Sequence, residues 1–267
     1  MNNNKYKLWA AGLVMLGTVI TGCAENVLDK MDENEAERNE RLKKTLVVVM
    51  SLDDMFPDAS VRKLAKAAGD GNVKEVDAIV ARGVDVNARG TRGAVPLFWA
   101  LHNYKGFKRL LELGADPNVV FGDGTEGSVL GWATRAKDER FLQEALRHRG
   151  NPNLVDNDRG ESLLFAAIER GERRVDILLD AGADINARSR EGDSVATAAA
   201  RIANFEPVLH LLQRGINSHA RNRSGQDLRK LAMHFVEIVD AKSENGKEIR
   251  KVLHWMEAED AKQHESQ

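Results

Sequence analysis

The sequence has a single cysteine, five prolines and few aromatic residues, which make up 5% of its 267 positions. With only Cys23 present, no disulfide can form within the chain, so the fold must depend on its hydrophobic core. The formal net charge is only −2, whereas a general nucleic-acid-binding protein would show a basic surplus. We therefore expect no nucleic-acid partner.

The motifs that carry chemistry are also missing. The seven histidines are scattered, and none belongs to an HExxH-type ligand pair. The glycine-rich stretch 122–127 lacks the lysine of a phosphate-binding loop. Acidic pairs such as Asp53 with Asp54 and Asp156 with Asp158 are interpreted as helix caps and turn residues. We predict no catalytic residues, no metal site and no cofactor, which indicates a binding module rather than an enzyme.

The first 22 residues have the pattern of a secretory signal peptide. Lys5 and Lys7 precede 13 uncharged residues, 8–20, which are too few for the roughly 20 that span a bilayer. The tetrapeptide 20–23, Ile-Thr-Gly-Cys, resembles a bacterial lipobox, although an isolated cysteine can also be a small buried residue. The resemblance implies cleavage before Cys23 and lipid on its thiol. Ala24 resembles the default outer-membrane signal, which implies a lipid-anchored protein that faces the periplasm.

Residues 23–45 are polar and charged, and they predict a solvated tether after the lipid. The apolar island 45–52 lies at the start of a segment, 46–58, that we expect to pack against the following domain as an N-terminal cap. The alternative, a short free strand, would be prone to aggregation.

Internal repeats dominate the rest of the chain. One set of glycines lies at positions 83, 114, 150, 182 and 215, and a second set lies at 93, 127, 160, 192 and 225. Self-similarity near 33 residues resembles the ankyrin repeat. The resemblance implies an all-α solenoid of about five to six helix-turn-helix repeats with short finger turns over 59–225. Capping helices over 226–257 and a tail over 258–267 would follow.

Each repeat contains local signals that agree with this interpretation. We expect the first glycine of each repeat to end a helix with positive φ, and the Asp-x-Asn pairs to bond local backbone in the turn. Pro96 suits a first helical turn, and Ser162 and Ser194 can cap helices. The histidine of the family's TPLH tetrapeptide is absent here, so some hydrogen bonding between repeats is in question. Residues 121–124 form an insertion, and insertions in repeat proteins are often on the binding face.

Two tryptophans, Trp99 and Trp132, occupy the same position of successive repeats. In the ankyrin family this position faces the concave groove, and tryptophan is common among interface hot spots. The alternative is that both rings belong to the core. Three positions further along the same helical face, the resemblance also places four polar residues on the groove. These are His102, Arg135, Glu169 and Arg201.

The predicted finger tips are rich in arginine, which suits bidentate recognition of carboxylates. For any one of these arginines, an ordinary solvated loop is the alternative. The arginines are Arg89, Arg92, Arg159, Arg188, Arg190, Arg221 and Arg223. They are mixed with Asp123, Glu126, Asp156, Asp158 and Glu191.

The stretches 96–101, 113–118 and 150–153 resemble the ankyrin lipoproteins that accompany type VI secretion phospholipase effectors. The resemblance implies a monomeric immunity protein, which binds and blocks a secreted lipase effector in the periplasm. Two alternatives are a periplasmic scaffold or protective accessory protein for a resident enzyme, and a hydrolase with an unrecognised site. An ankyrin motif indicates the fold more strongly than the function.

Overall fold

The structure is a computed structural model, and it describes residues 50–122, 127–155 and 160–265. These residues form thirteen α-helices. The helices are α1 (Leu52–Met55), α2 (Ala59–Asp70), α3 (Val73–Ala81), α4 (Pro96–Trp99), α5 (Tyr104–Glu112), α6 (Val129–Arg135), α7 (Arg140–Arg147), α8 (Leu163–Ala167), α9 (Glu172–Asp180), α10 (Val195–Arg201), α11 (Glu206–Gln213), α12 (Leu228–Ile238) and α13 (Glu244–Glu265). Three 3-10 turns, Thr91–Gly93, Ala100–His102 and Ile168–Arg170, add to them.

From α2 onwards the helices form six antiparallel pairs that stack in chain order. Each inner helix, α2, α4, α6, α8, α10 and α12, packs against the outer helix that follows it. Neighbouring inner helices also contact one another, α4 and α6 through the rings of Phe98 and Trp132. Between pairs, fingers 1 to 5 are residues 84–94, 115–128, 149–162, 183–194 and 216–227. Single β-bridges close the bases of fingers 2, 3 and 4. The expected all-α stack of about five to six helical repeats is confirmed.

The inner helices begin largely as expected. Pro96 occupies the first turn of α4, and Ser128 and Ser194 cap α6 and α10 by accepting backbone N–H bonds. Ser162 is the exception, because its hydroxyl makes no cap bond and lies buried without a hydrogen-bond partner in the described structure. The predicted cap at α8 is therefore wrong.

Four of the five expected helix-ending glycines have positive φ, with values between 90° and 95°. The exception is Gly150, because the left-handed residue after α7 is Arg149, with φ of 67°. Gly150 instead lies where a Cβ would approach the Ala145 carbonyl oxygen to 2.7 Å. The finger after α7 is thus shifted by one residue from the expected alignment.

The asparagines at the finger bases connect neighbouring repeats. Asn118 Nδ2 donates to the Arg149 carbonyl at 2.9 Å, and its Oδ1 accepts from the Asn151 N–H at 2.6 Å. Asn153 makes the same two bonds to Gly182 and Asp184. Asn87 repeats this pattern, and the Asn186 Oδ1 accepts the equivalent N–H bond. The predicted local bonds are also present, as where Asp85 Oδ1 accepts from the Asn87 N–H at 2.8 Å, and this asparagine ladder adds bonds between repeats.

Both ends of the stack are covered. At the N-terminus, Met55 and Phe56 are buried, and the Thr91 hydroxyl donates to the Asp54 carbonyl at 2.7 Å, which fixes α1 to finger 1. Most of the apolar island, 45–49, lies outside the described residues. At the C-terminus, α12 packs against α13, which continues to Glu265 through most of the segment expected to be a tail.

The insertion in finger 2 contributes to the core. Phe121 is 2% exposed, and its ring centroid lies 4.7 Å from that of Phe98. Its N–H donates to the Gly127 carbonyl at 3.1 Å, which closes the base of the finger. The first inserted residue therefore anchors the finger, and residues 123–126 lie outside the described part of the chain.

Candidate ligand-binding groove and fingers

The inner helices place one polar residue at the same point of four successive repeats. His102, Arg135, Glu169 and Arg201 each follow the N-cap of their inner helix by seven residues. They lie at or just beyond the helix ends, so a rigid element holds each one. We call these four positions the groove row.

Trp99 does not have the exposed ring that its repeat position predicts. It is 7% exposed and lies over Gly69 of the preceding repeat, where a Cβ would come within 2.7 Å of the indole. Because Gly69 has no side chain, the indole can occupy this space. The expectation of an exposed ring at Trp99 is wrong, and the alternative of a core ring is correct for this residue.

Trp132 is only partly buried. It packs against the core edge-on to Phe98, with ring centroids 6.0 Å apart. The two indoles thus pack in different surroundings, Trp99 against repeat 1 and Trp132 against Phe98. Of the two, Trp132 keeps part of its surface accessible, and its predicted role in partner binding stays a prediction.

His102 is held tightly at the first position of the groove row. Its Nδ1 lies 2.5 Å from the Trp99 carbonyl oxygen, so this nitrogen carries the proton and donates it. Its ring centroid lies 4.7 Å from that of Trp99. Burial lowers the pKa of His102, although the bond to Trp99 and the charge of Asp70 act in the opposite direction.

The remaining groove-row residues differ in exposure and charge. Arg135 is partly buried at the end of α6, and Glu169 is exposed in a 3-10 turn. Arg201 is half exposed and forms an ion pair with Asp193, a carboxylate only 4% exposed that also accepts from Asn222 Nδ2 at 2.8 Å. After His102, the groove row therefore presents in succession the basic Arg135, the acidic Glu169 and the basic Arg201, which is paired with Asp193.

The finger arginines are partly described. Arg89, Arg92, Arg188, Arg190, Arg221 and Arg223 are all exposed. Arg188 Nη1 donates to the carbonyls of Gly192 and Arg221, both at 2.9 Å, and so joins fingers 4 and 5. Arg159, Asp123, Glu126, Asp156 and Asp158 lie outside the described residues, as does Cys23.

The outer face holds a buried carboxylate that sequence reasoning missed. Glu144 is 3% exposed, and Tyr104 of the preceding repeat donates to it at 2.9 Å. Burial opposes ionisation, but this bond and the nearby charges of Lys108, Arg147 and His148 hold the pKa of Glu144 below its ordinary value. The two partners are 40 residues apart, and no local motif signals their contact.

The acidic and basic groups of this outer face are used in packing. Arg109 Nε of α5 donates to Asp77 of α3 at 2.6 Å, and Arg214, the residue after α11, contacts Asp176 of α9 at 2.9 Å. Within residues 50–122, 127–155 and 160–265, no three His, Cys, Asp or Glu side chains are grouped to hold a metal ion. Over the same residues, no helix is both long and apolar enough to cross a membrane.

Comparisons with known proteins agree with this architecture. No protein-family model matches the chain. It is 32% identical over 150 residues to Protein PhlB of Serratia liquefaciens, and the match covers 55% of this chain and 65% of that protein. It also resembles the crystal structure of an ankyrin repeat domain from Acinetobacter baumannii AYE, with a TM-score of 0.60 and 23% identity over 71% of this chain and 95% of that one. The fold is therefore that of an ankyrin repeat domain.

Proposed function

We propose that this chain is a protein-binding ankyrin lipoprotein, an immunity protein that binds and neutralises a type VI secretion lipase effector in the periplasm. The observation that supports binding is the groove row. Its positions repeat at a fixed distance from each N-cap, whereas its chemistry changes from histidine to arginine, glutamate and arginine. A regular scaffold that presents different side chains at equivalent positions suits recognition of one particular surface.

Binding without catalysis is the role that these side chains favour. The buried carboxylates Glu144 and Asp193 are each engaged by hydrogen-bond donors on neighbouring side chains. His102 is fixed by its bond to the backbone of Trp99. We propose that the protein works as a monomer, without a cofactor, by covering the apolar approach to the lipase site.

The lipid anchor completes the proposal. Acylation of Cys23 would place the ankyrin domain at the periplasmic face of the outer membrane, where a lipase effector acts on lipid. Replacement by Cys23→Ser removes the thiol, so we expect the protein to leave the membrane fraction. Fractionation followed by immunoblotting measures this, and a Cys23→Ser variant that pellets like the wild type would reject the anchor.

The test of the function begins at the neighbouring genes, where the proposal expects a gene for a lipase. Purified full-length protein should form a complex with that lipase and abolish hydrolysis of phospholipid vesicles at equimolar ratio. Arg135→Glu should weaken the complex, because it reverses a groove charge, whereas Lys74→Glu on the outer helix α3 should not. Both variants should melt like the wild type.

Each result separates the candidate functions. Inhibition that Arg135→Glu weakens supports the immunity proposal. A complex that leaves hydrolysis intact, or increases it, favours a scaffold or accessory protein. No complex with the lipase rejects the proposal.

A further inference from the structure

The tips of fingers 4 and 5 carry a positive charge, and the residues responsible for it are not members of the groove row. Segments 188–192 and 221–225 contain four arginines and one acidic residue, Glu191, in a chain whose net charge is −2. All four arginines are exposed. None of the five fingers contains a lysine. Their basic charge therefore comes from arginine, except for any charge that a histidine carries.

Backbone contacts fix the two tips relative to each other. Arg188 Nη1 bonds to carbonyls of both fingers, at Gly192 and Arg221. The Arg223 N–H donates to the Glu191 carbonyl at 3.0 Å. Gly192 has φ of 79°, and a Cβ there would lie 3.3 Å from the Arg223 nitrogen. Arg188 is thus a positioning residue that joins two finger tips.

The four arginines of this surface differ in how far they are engaged. Arg221 Nε lies 3.4 Å from Asp227 Oδ2, so it is partly engaged. Among the described residues, the side chains of Arg190 and Arg223 form no ion pair or hydrogen bond. Each presents a planar fork of donors that matches the two oxygens of a carboxylate.

We propose that the tips of fingers 4 and 5, with Arg190 and Arg223 at their centre, bind a carboxylate-rich segment of a protein partner. This inference rests on the proposed function only in taking the partner to be a protein. The use of arginine favours carboxylate recognition over attraction to an anionic membrane, because lysine would serve a membrane surface equally well. The groove row and this arginine surface would then contact different parts of one partner.

The test uses the full-length chain in neutral detergent and a fluorescein-labelled oligoglutamate peptide, with binding followed by anisotropy. The double variant Arg190→Gln with Arg223→Gln should weaken binding about tenfold or more, because charged hydrogen bonds are lost. The matched control is Arg82→Gln with Arg250→Gln, which removes two exposed arginines elsewhere and should bind like the wild type. Thermal melts confirm that both double variants fold.

Charge-conserving replacements separate fork recognition from simple attraction. Arg190→Lys with Arg223→Lys keeps both charges but loses the forks, so affinity should also fall. Peptide affinity of the Lys or the Gln double variant that stays at the wild-type level would overturn the proposal. An equal loss of affinity in the control, Arg82→Gln with Arg250→Gln, would overturn it as well. Displacement of the peptide by micelles containing phosphatidylglycerol as effectively as by unlabelled peptide would identify a lipid surface and overturn it too.

The outcome is distinguishable from a failure of the proposed function. Peptide binding through the fingers without a lipase complex rejects the immunity role and leaves this surface assigned. A lipase complex together with peptide binding that ignores Arg190 and Arg223 rejects this surface alone.

Discussion

At the scale of single residues, Trp99 and Trp132 test how repeat position relates to burial. Trp99 is 7% exposed and packs on Gly69, so Trp99→Ala should leave a cavity and cost about 3–5 kcal/mol of unfolding free energy. Trp132 is only partly buried, so Trp132→Ala should cost clearly less. Urea unfolding of both variants measures the difference, and equal losses would contradict the packing described here.

His102 predicts a pH dependence of stability. Its pKa is lowered in the folded state by burial, so below its ordinary value of about 6.5 the unfolded chain binds more protons than the folded one. The stability that the neutral ring contributes is present above that value and is lost as the pH falls towards the lowered folded pKa. His102→Gln should therefore make the free energy of unfolding less sensitive to acid.

The measurement compares urea unfolding of the wild type and His102→Gln from neutral pH downwards through this window. The other histidines are common to both proteins, so the difference between the two curves reports His102. Parallel curves would show that burial does not perturb this residue.

The repeat positions of the four groove-row residues could be predicted from the sequence, their surroundings could not, and their role in binding stays a prediction. The four positions could be predicted because each lies a fixed distance from an N-cap in a repeating pattern. The burial of Trp99 could not, since it depends on the missing side chain of Gly69, 30 residues earlier. The contact of Tyr104 with Glu144 could not be predicted either, because the two residues are 40 positions apart and no local pattern connects their outer helices.

At the scale of elements, the asparagine ladder predicts how fingers are joined. Asn153→Ala removes two bonds to the next repeat, those with the Gly182 carbonyl and the Asp184 N–H, and should cost roughly 1–3 kcal/mol. Among the described residues, Asn151 bonds through its side chain only within its own finger, to the Asn153 N–H, so Asn151→Ala should cost less. Thermal or urea unfolding ranks the two, and the reverse order would contradict the ladder.

The helices themselves were largely predictable, because their period and their small residues repeat. The exceptions lie where one repeat deviates from the others. Arg149 takes the left-handed position expected for Gly150, because finger 3 is one residue out of step. Ser162 precedes α8 as its counterparts precede α6 and α10, yet its hydroxyl does not cap the helix.

At the scale of the whole molecule, the stack presents two separate surfaces on one continuous core. The groove row follows the ends of the inner helices, and the arginine surface lies on the tips of fingers 4 and 5. The outer helices are tied together by ion pairs such as those of Arg109 with Asp77 and Arg214 with Asp176. A single partner that contacts the groove and the fingers would leave this outer face uncovered.

Hydrogen exchange in the presence of the lipase that the proposal expects from a neighbouring gene tests this account most directly. We expect the complex to slow amide exchange around His102, Arg135, Glu169 and Arg201 and in segments 188–192 and 221–225, while α3, α5, α7, α9 and α11 exchange as in the free protein. Protection confined to those outer helices, or no change anywhere on mixing, would contradict the proposal that this ankyrin domain captures a lipase through its groove and fingers.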